Sequence, residues 1–227
     1  WDRDARAANM KMRVLPSTKE IVAGAVKLGD ISEVTEEDLL GRRPIHTEEV
    51  GIENMLAGRR VLITGAGGSI GSELSRQVHR YSPAYLALLD RDESALHAVQ
   101  MSIHGRALLD SDDIILADIR DSDRLRAVLD HVRPEVVFHA AALKHMPLLE
   151  RAPDEAFKTN VLGTRNMLIA AQEHGVRVFV NISTDKAAEP NNVLGYSKKA
   201  TERLTAGMSA PSGGRFLSVR FGNVLGS

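Results

Sequence analysis

The feature that most restricts the fold is a short apolar run ending in regularly spaced glycines. Arg60-Val61-Leu62-Ile63-Thr64 leads into Gly65-Ala66-Gly67-Gly68-Ser69-Ile70-Gly71, and a helical pattern begins near Ser69. The GxxGxxG spacing has a physical reason. Gly65 permits a sharp turn out of a strand, Gly68 lets the backbone approach a pyrophosphate, and Gly71 lets the next helix pack close to the sheet. The helix start, with Ser69 and Ile70 in its first turn, offers unpaired N–H groups and a partial positive charge to phosphate. A glycine triplet alone marks a tight turn. Its place between a strand and a helix makes it a dinucleotide signal.

The rest of the chain repeats this rhythm. Strand-length apolar runs occupy 60–64, 84–90, 113–117, 135–140, 177–183 and 215–221, and amphipathic stretches occupy 69–80, 93–104, 121–132, 154–174 and 195–209. Strands this apolar are expected where both faces of a sheet are covered. The alternation predicts an α/β fold with a doubly wound parallel sheet and right-handed crossovers. The 227 residues, 43% of them hydrophobic and 26% charged, suit one globular domain plus an appendage, or two small domains.

Side chains at the strand ends suggest what the sheet binds. Asp90 ends the second strand, where an acid can hold a ribose 2′-hydroxyl and favour NAD. Arg91 follows it and can instead attract a 2′-phosphate, so NADP stays open; Asp90 can equally cap the helix beginning near Ser94. Asp118 and Ile119 follow the third strand, placed for an adenine amino group and ring face, while Asp121 or Ser122 caps the next helix. His139-Ala140-Ala141-Ala142 ends the fourth, where small side chains leave room for a nucleotide.

Several classes are set aside. A net charge of -1 gives no basic field for nucleic acid. The absence of cysteine removes disulfides, thiolate metal sites and a thiol nucleophile. The eight histidines lack ligand spacing, so no metal site is expected. No run reaches the roughly 20 apolar residues of a membrane span, so no membrane contact is expected of these residues. Residues 1–57 read differently from the rest: a strand end at Leu15-Pro16, a helix start at Ser17 with Glu20, an acidic segment from Ser32 to Leu40, and a connector at Gly41-Arg42-Arg43-Pro44. They are read as the tail of a preceding domain plus a linker, with the dinucleotide-binding domain at 58–227.

Taken together, residues 64–71, 117–121, 139–147 (His-Ala-Ala-Ala-Leu-Lys-His-Met-Pro), 160–164 (Asn-Val-Leu-Gly-Thr), 183–187 (Ser-Thr-Asp-Lys-Ala) and 220–227 (Arg-Phe-Gly-Asn-Val-Leu-Gly-Ser) closely resemble one family. It is the UDP-N-acetylglucosamine 4,6-dehydratase group of extended short-chain dehydrogenases, the CapD-like polysaccharide biosynthesis proteins. The resemblance covers about 58–227. It implies a Rossmann-type domain, a UDP-sugar substrate, a homo-oligomer, and a cytoplasmic site on a protein whose long members carry an N-terminal membrane region. Much of the substrate lobe of such proteins would follow residue 227, so 1–227 alone is expected to turn over poorly. By motif, Lys144 and Asn160 correspond to cofactor- or substrate-side contacts, with His145 beside them on the sugar side. Asn223 and Val224 correspond to sugar and cofactor contacts, and Thr184, Asp185 and Lys186 to the catalytic triplet. There is one departure. Aligned on Lys198, the hydroxyl-base Tyr of the wider superfamily is replaced by Leu194, and Tyr196 does not restore the motif.

The triplet suits a 4,6-dehydration. Oxidation at sugar C4 acidifies the C5–H, a base removes that proton while an acid protonates the departing C6 hydroxyl, and the hydride returns to C6. Lys186 is assigned as base and Asp185 as acid, each needing burial or a neighbouring charge to bring its pKa toward neutrality. Lys198 is a second cation that can bind the nicotinamide ribose, and Thr184 can pass the C4 hydroxyl proton to water or to Lys198. The plainer alternatives are a helix cap with a solvated lysine at 184–186 and a surface pair at Lys144-His145. A C4 epimerase, an oxidoreductase, or a non-catalytic binding domain on the same fold are the competing functions.

Overall fold

The computed structural model describes residues 13–14, 32–33, 49–106, 111–208, 213–222 and 224. The expectations at Ser17, Glu20, Gly41–Pro44 and Asn223 lie outside them. The chain divides into two compact units, Trp1–Glu48 and Glu49–Ser227. In the first, β1 (Arg13–Val14) pairs antiparallel with β2 (Ser32–Glu33). The second begins with α1 (Glu49–Leu56), which the sequence reading placed in the linker. Leu56 is buried there in the same apolar cluster as Val61 and Ile63, so the helix belongs with the sheet.

The sheet has six parallel strands in the order β5-β4-β3-β6-β7-β8. They are β3 (Arg60–Thr64), β4 (Tyr85–Asp90), β5 (Ile114–Leu116), β6 (Val136–His139), β7 (Val178–Thr184) and β8 (Arg215–Phe221). Each matches its apolar run to within a residue at either end. Val61, Leu62 and Ile63 are wholly buried because helices cover both faces. One face carries α1, α2 (Ser69–Arg80) and α3 (Glu93–His104); the other carries α4 (Ser122–Val132) and α7 (Thr164–Glu173). Strand order reverses between β3 and β6. The loops leaving them diverge there and open a crevice at the carboxyl edge of the sheet.

The helical stretch expected at 154–174 is interrupted. It runs as α6 (Pro153–Ala156), a π-helical segment (Phe157–Gly163) and then α7, with helical backbone at both joins. The wider turn rotates Thr159 and Asn160 inward, where both are buried. Gly163 lies directly against the Ile119 side chain, leaving no room for a Cβ. Short α5 (Met146–Arg151) and long α8 (Val193–Gly207) complete the unit.

Candidate active site

The crevice holds two connected cavities. One of about 270 Å³ lies over Gly67, Asp90, Arg91, Asp118 and Ile119. The other, about 650 Å³, is lined by Ser69, Lys144, His145, Thr184, Lys186 and Lys198 among others. They share Gly65, Gly68, Ala140, Ala142 and Leu143, so the cleft passes across the glycine turn at the switch point. An elongated ligand lying along it would meet backbone at the centre and different chemistry at each end.

The centre is built from the main chain. Gly65 has φ +67, and a Cβ there would run into the backbone of Ala140 and Ala141. A Cβ on Gly71 would collide with the Gly65 carbonyl, so the helix sits as close to the strand end as backbone allows. Gly68 is the N-cap of α2 and gives it no side-chain hydrogen bond. A twelve-residue helix therefore presents its N-terminal dipole uncapped to the cleft, which fits a pyrophosphate. Lys144 crosses the cleft and donates from Nζ to Ser69 Oγ at 3.0 Å.

At the first end the carboxylates are already engaged. Asp90 accepts from Gly67 N at 2.9 Å and Asp92 N at 3.1 Å, so it braces the glycine turn while lining the cleft. The cap of α3 is Asp92, which accepts from Ala95 N; capping by Asp90 is thereby corrected. Asp118 accepts from the backbone N, Nε and Nη2 of Arg120. Burial raises its carboxyl pKa, and the Arg120 hydrogen bonds and charge outweigh that and leave it lowered. Arg91 stands 4.0 Å from the same carboxylate. Asp121 caps α4, accepting from Arg124 N.

At the other end β7 runs into a single 3-10 turn, Asp185–Ala187. Thr184 Oγ1 donates to Asp185 Oδ1 at 2.9 Å, and Lys186 Nζ donates to the same oxygen at 3.3 Å. Lys198, the only lysine buried among the described residues, donates from Nζ to the Ile182 carbonyl at 2.8 Å. Burial pushes its ammonium down to about 8, opposed by the charge of Glu202 one helical turn on. Leu194 is buried and lines the cleft at the place of the missing tyrosine, while Tyr196 is exposed on another surface beside Val161 and Arg203.

A family model described as polysaccharide biosynthesis protein matches residues 61–227, which contain the entire cleft. The chain belongs to the polysaccharide biosynthesis protein family. Within that family it is 40% identical over 222 residues to the probable polysaccharide biosynthesis protein EpsC of Bacillus subtilis, covering 96% of this chain and 37% of that one. It is 36% identical over 179 residues to a UDP-N-acetylglucosamine 4,6-dehydratase (inverting) of Campylobacter jejuni, covering 76% of this chain and 51% of the other. A solved UDP-glucose-4-epimerase of Stenotrophomonas maltophila with bound NAD and formylated UDP-arabinopyranose has a TM-score of 0.58 and 26% identity. It covers 65% of this chain and 48% of that one. This polysaccharide biosynthesis protein chain thus spans about half or less of the length of these three.

Two of the expected site residues in this member of the polysaccharide biosynthesis proteins have structural partners of their own. Asn160 is not among the residues lining either cavity. It is wholly buried in the π-helical segment, accepts from Leu143 N, and donates to Leu143 O and Ser197 Oγ, so it clamps the loop after β6 to α8. Asp185 is not a buried acid. Its side chain is 57% exposed, and the Thr184 hydroxyl, then Lys186, hold its carboxyl below the ordinary range. Ala140, Ala141, Ile119, His145 and Val224 line the cleft.

Other residues were passed over. His139 is wholly buried beneath the crevice, sharing hydrogen bonds with Thr64 Oγ1 at 2.7 Å and Thr164 Oγ1 at 3.0 Å. Burial, then the charge of Lys198, pushes its pKa down to about 3, so the ring is neutral. A histidine ending an otherwise apolar strand was the available signal. Among the described residues no three His, Asp or Glu side chains converge as a metal site, and no helix is long and apolar enough to cross a membrane.

Proposed function

We propose that this chain carries the dinucleotide site and the reacting groups of a nucleotide-sugar 4,6-dehydratase acting on a UDP-N-acetylhexosamine. The observation that carries the reading is the hydrogen-bonded series Thr184–Asp185–Lys186, of which Thr184 and Lys186 line the cavity that also contains the glycine turn. NAD fits the cradle better than NADP. The helix start is uncapped, Asp90 supports the turn, and Arg91 faces a carboxylate already beside it. Gly65, Gly68, Ser69, Ile70 and Gly71 would hold the pyrophosphate. Asp118 and Ile119 would hold the adenosine, and Lys144 and Lys198 the nicotinamide end. His145 would face the sugar and Val224 the cofactor.

When bound, NAD supplies a two-electron acceptor at C4 and the matching donor at C6. The remaining steps are proton transfers by this chain. Thr184 takes the C4 hydroxyl proton and passes its own to Asp185, along the 2.9 Å bond that already points that way. Asp185 is thereby charged as the acid, which removes the need for a buried carboxyl in the resting site. Lys186 is the base that takes the C5 proton; Asp185 gives its proton to the departing C6 hydroxyl, and water leaves. Lys186 or solvent reprotonates C5 when C6 is reduced. Two protons leave the sugar; one departs in the water formed at C6 and one returns to C5, and the product is the 4-keto-6-deoxy sugar. Lys198 stays beneath this sequence as a fixed cation that favours negative charge developing at O4.

The test is Lys186→Ala in the intact protein, incubated with NAD and UDP-N-acetylglucosamine in deuterium oxide. The parent should yield the 4-keto-6-deoxy product with deuterium at C5. The variant should lose product formation by about 10³-fold while still binding NAD. Product that forms unchanged in the variant defeats the mechanism. C4 epimerisation without deuterium at C5 supports the second reading, which the structural likeness to an epimerase favours and the buried Leu194 opposes. NAD binding without any turnover leaves a non-catalytic binding domain.

A further inference from the structure

We propose that Glu202 is a positioning residue that joins the ends of β7 and β8 and serves as counter-charge to Lys198; this rests on the dehydratase reading for its consequence in turnover, but not for its geometry. Glu202 lies one turn after Lys198 on α8, and residues four apart share a helix face. The two side chains grip consecutive residues of β7: Lys198 donates to the Ile182 carbonyl, and Glu202 Oε1 accepts from Ser183 Oγ at 2.6 Å. The next residue is Thr184, so this double grip sets where the Thr184–Lys186 turn leaves the sheet. Glu202 also binds Arg220 on β8 through both oxygens, at 2.8 Å from Nε and 2.7 Å from Nη2. That strand continues into Phe221, Gly222 and Val224, which line the same cavity. One carboxylate with a side chain only 14% exposed therefore sets the distance between the proton-transfer turn and the opposite wall.

The charges around this pair can be named element by element. His139 faces Lys198 from β6 and is neutral. Lys186 and Asp185 stand on the turn after β7, and Lys144 reaches in from the loop after β6. Arg220 faces Glu202 from β8, and Lys199 acts on it from α8. Glu202 is the acid whose charge supports the Lys198 ammonium; Arg220 is ion-paired to that carboxylate, and its opposite charge should offset part of that support. The two substitutions should therefore move Lys198 in opposite directions. Removing the carboxylate with Glu202→Gln, which keeps an acceptor for Ser183, lowers its titration midpoint; removing the guanidinium with Arg220→Gln raises it.

The experiment is a pH titration of 13C-labelled lysine side chains by NMR, with the Lys198 signal assigned through Lys198→Arg. It needs no turnover, so its failure is separable from failure of the dehydratase reading. We expect the midpoint near 8 to fall by about one unit in Glu202→Gln and to rise by about half a unit in Arg220→Gln. In the intact protein with NAD and UDP-N-acetylglucosamine, the pH limb of kcat belonging to Lys198 should move with it. Glu202→Gln should also lower kcat by about tenfold with KM little changed, and Glu202→Asp should recover part of that. Thermal melts of both variants establish that they are folded. Midpoints that stay put, or shift in the same direction in two folded variants, overturn the proposal. If Glu202→Gln does not fold, Arg220→Gln alone decides it by rising or not.

Discussion

The two ends of the cleft are made of different material. Around the glycine turn the ligand surface is backbone, and the side chains there, such as Asp90, serve mainly to hold that backbone in place. Around Thr184–Lys198 the surface is ionisable side chains, one of them a lysine buried at an energetic cost. Backbone binds phosphate at any pH between the titrations of acids and amines; side-chain charge does not. Binding and chemistry should therefore respond differently to substitution and to acidity.

The largest effect that would separate the ends comes from Gly71→Ala. The added methyl meets the Gly65 carbonyl, which is main chain and has no rotamer to adopt. Stability should fall by roughly 2–4 kcal/mol, and NAD affinity by more than tenfold, because the turn must open to admit the methyl. Urea unfolding and a fluorescence titration with NAD measure both. A folded Gly71→Ala protein with undiminished affinity would mean that the cradle does not depend on close backbone packing.

Acid sharpens the contrast next, through His139, which lies under both ends. The folded imidazole titrates near 3, below the ordinary value of 6.5, because burial disfavours its charged form. In the window between those values the unfolded chain binds a proton that the folded chain refuses. The stabilisation is fully present above pH 6.5 and is lost as pH falls toward 3, by at most ~1.4 kcal/mol per pH unit. Urea unfolding at pH 7 and pH 5 should show a steeper loss in the parent than in His139→Gln, which cannot take up that proton. Parallel losses in the two proteins would contradict a buried neutral histidine.

How much of this was legible in the sequence follows from the same contrast. The strands, the glycine turn, the start of α2 and the cap at Asp121 are local, set by period and by the few conformations glycine allows. The expected burial of Asp185 failed because exposure is decided by what packs over the turn, which three adjacent letters do not specify. The motif made Asn160 visible as a candidate contact, but its bracing of the loop after β6 was not, because its partners, Leu143 and Ser197, lie 17 and 37 residues away. Asp92 was overlooked beside the more conspicuous Asp90. The grip of Glu202 needs Ser183 and Arg220, each on a different strand, so only the sheet order brings it together.

The smallest effect concerns Asp118, and it tests whether the first end has any electrostatic dependence. Its carboxylate carries three hydrogen bonds from Arg120, and Arg91 is also near, so much of its charge is already satisfied before a ligand arrives. Asp118→Asn keeps an acceptor for the Arg120 backbone N–H and removes the ion pair, both of whose members are partly exposed. An adenine amino group loses little when such an oxygen becomes an amide oxygen. NAD affinity should therefore weaken only about two- to fivefold, with stability changed by less than ~1 kcal/mol. A hundredfold loss would show that the adenosine end, like the Lys198 end, depends on a particular charge. The distinction between a backbone cradle and a charged reaction turn would then have to be redrawn around the glycine turn alone.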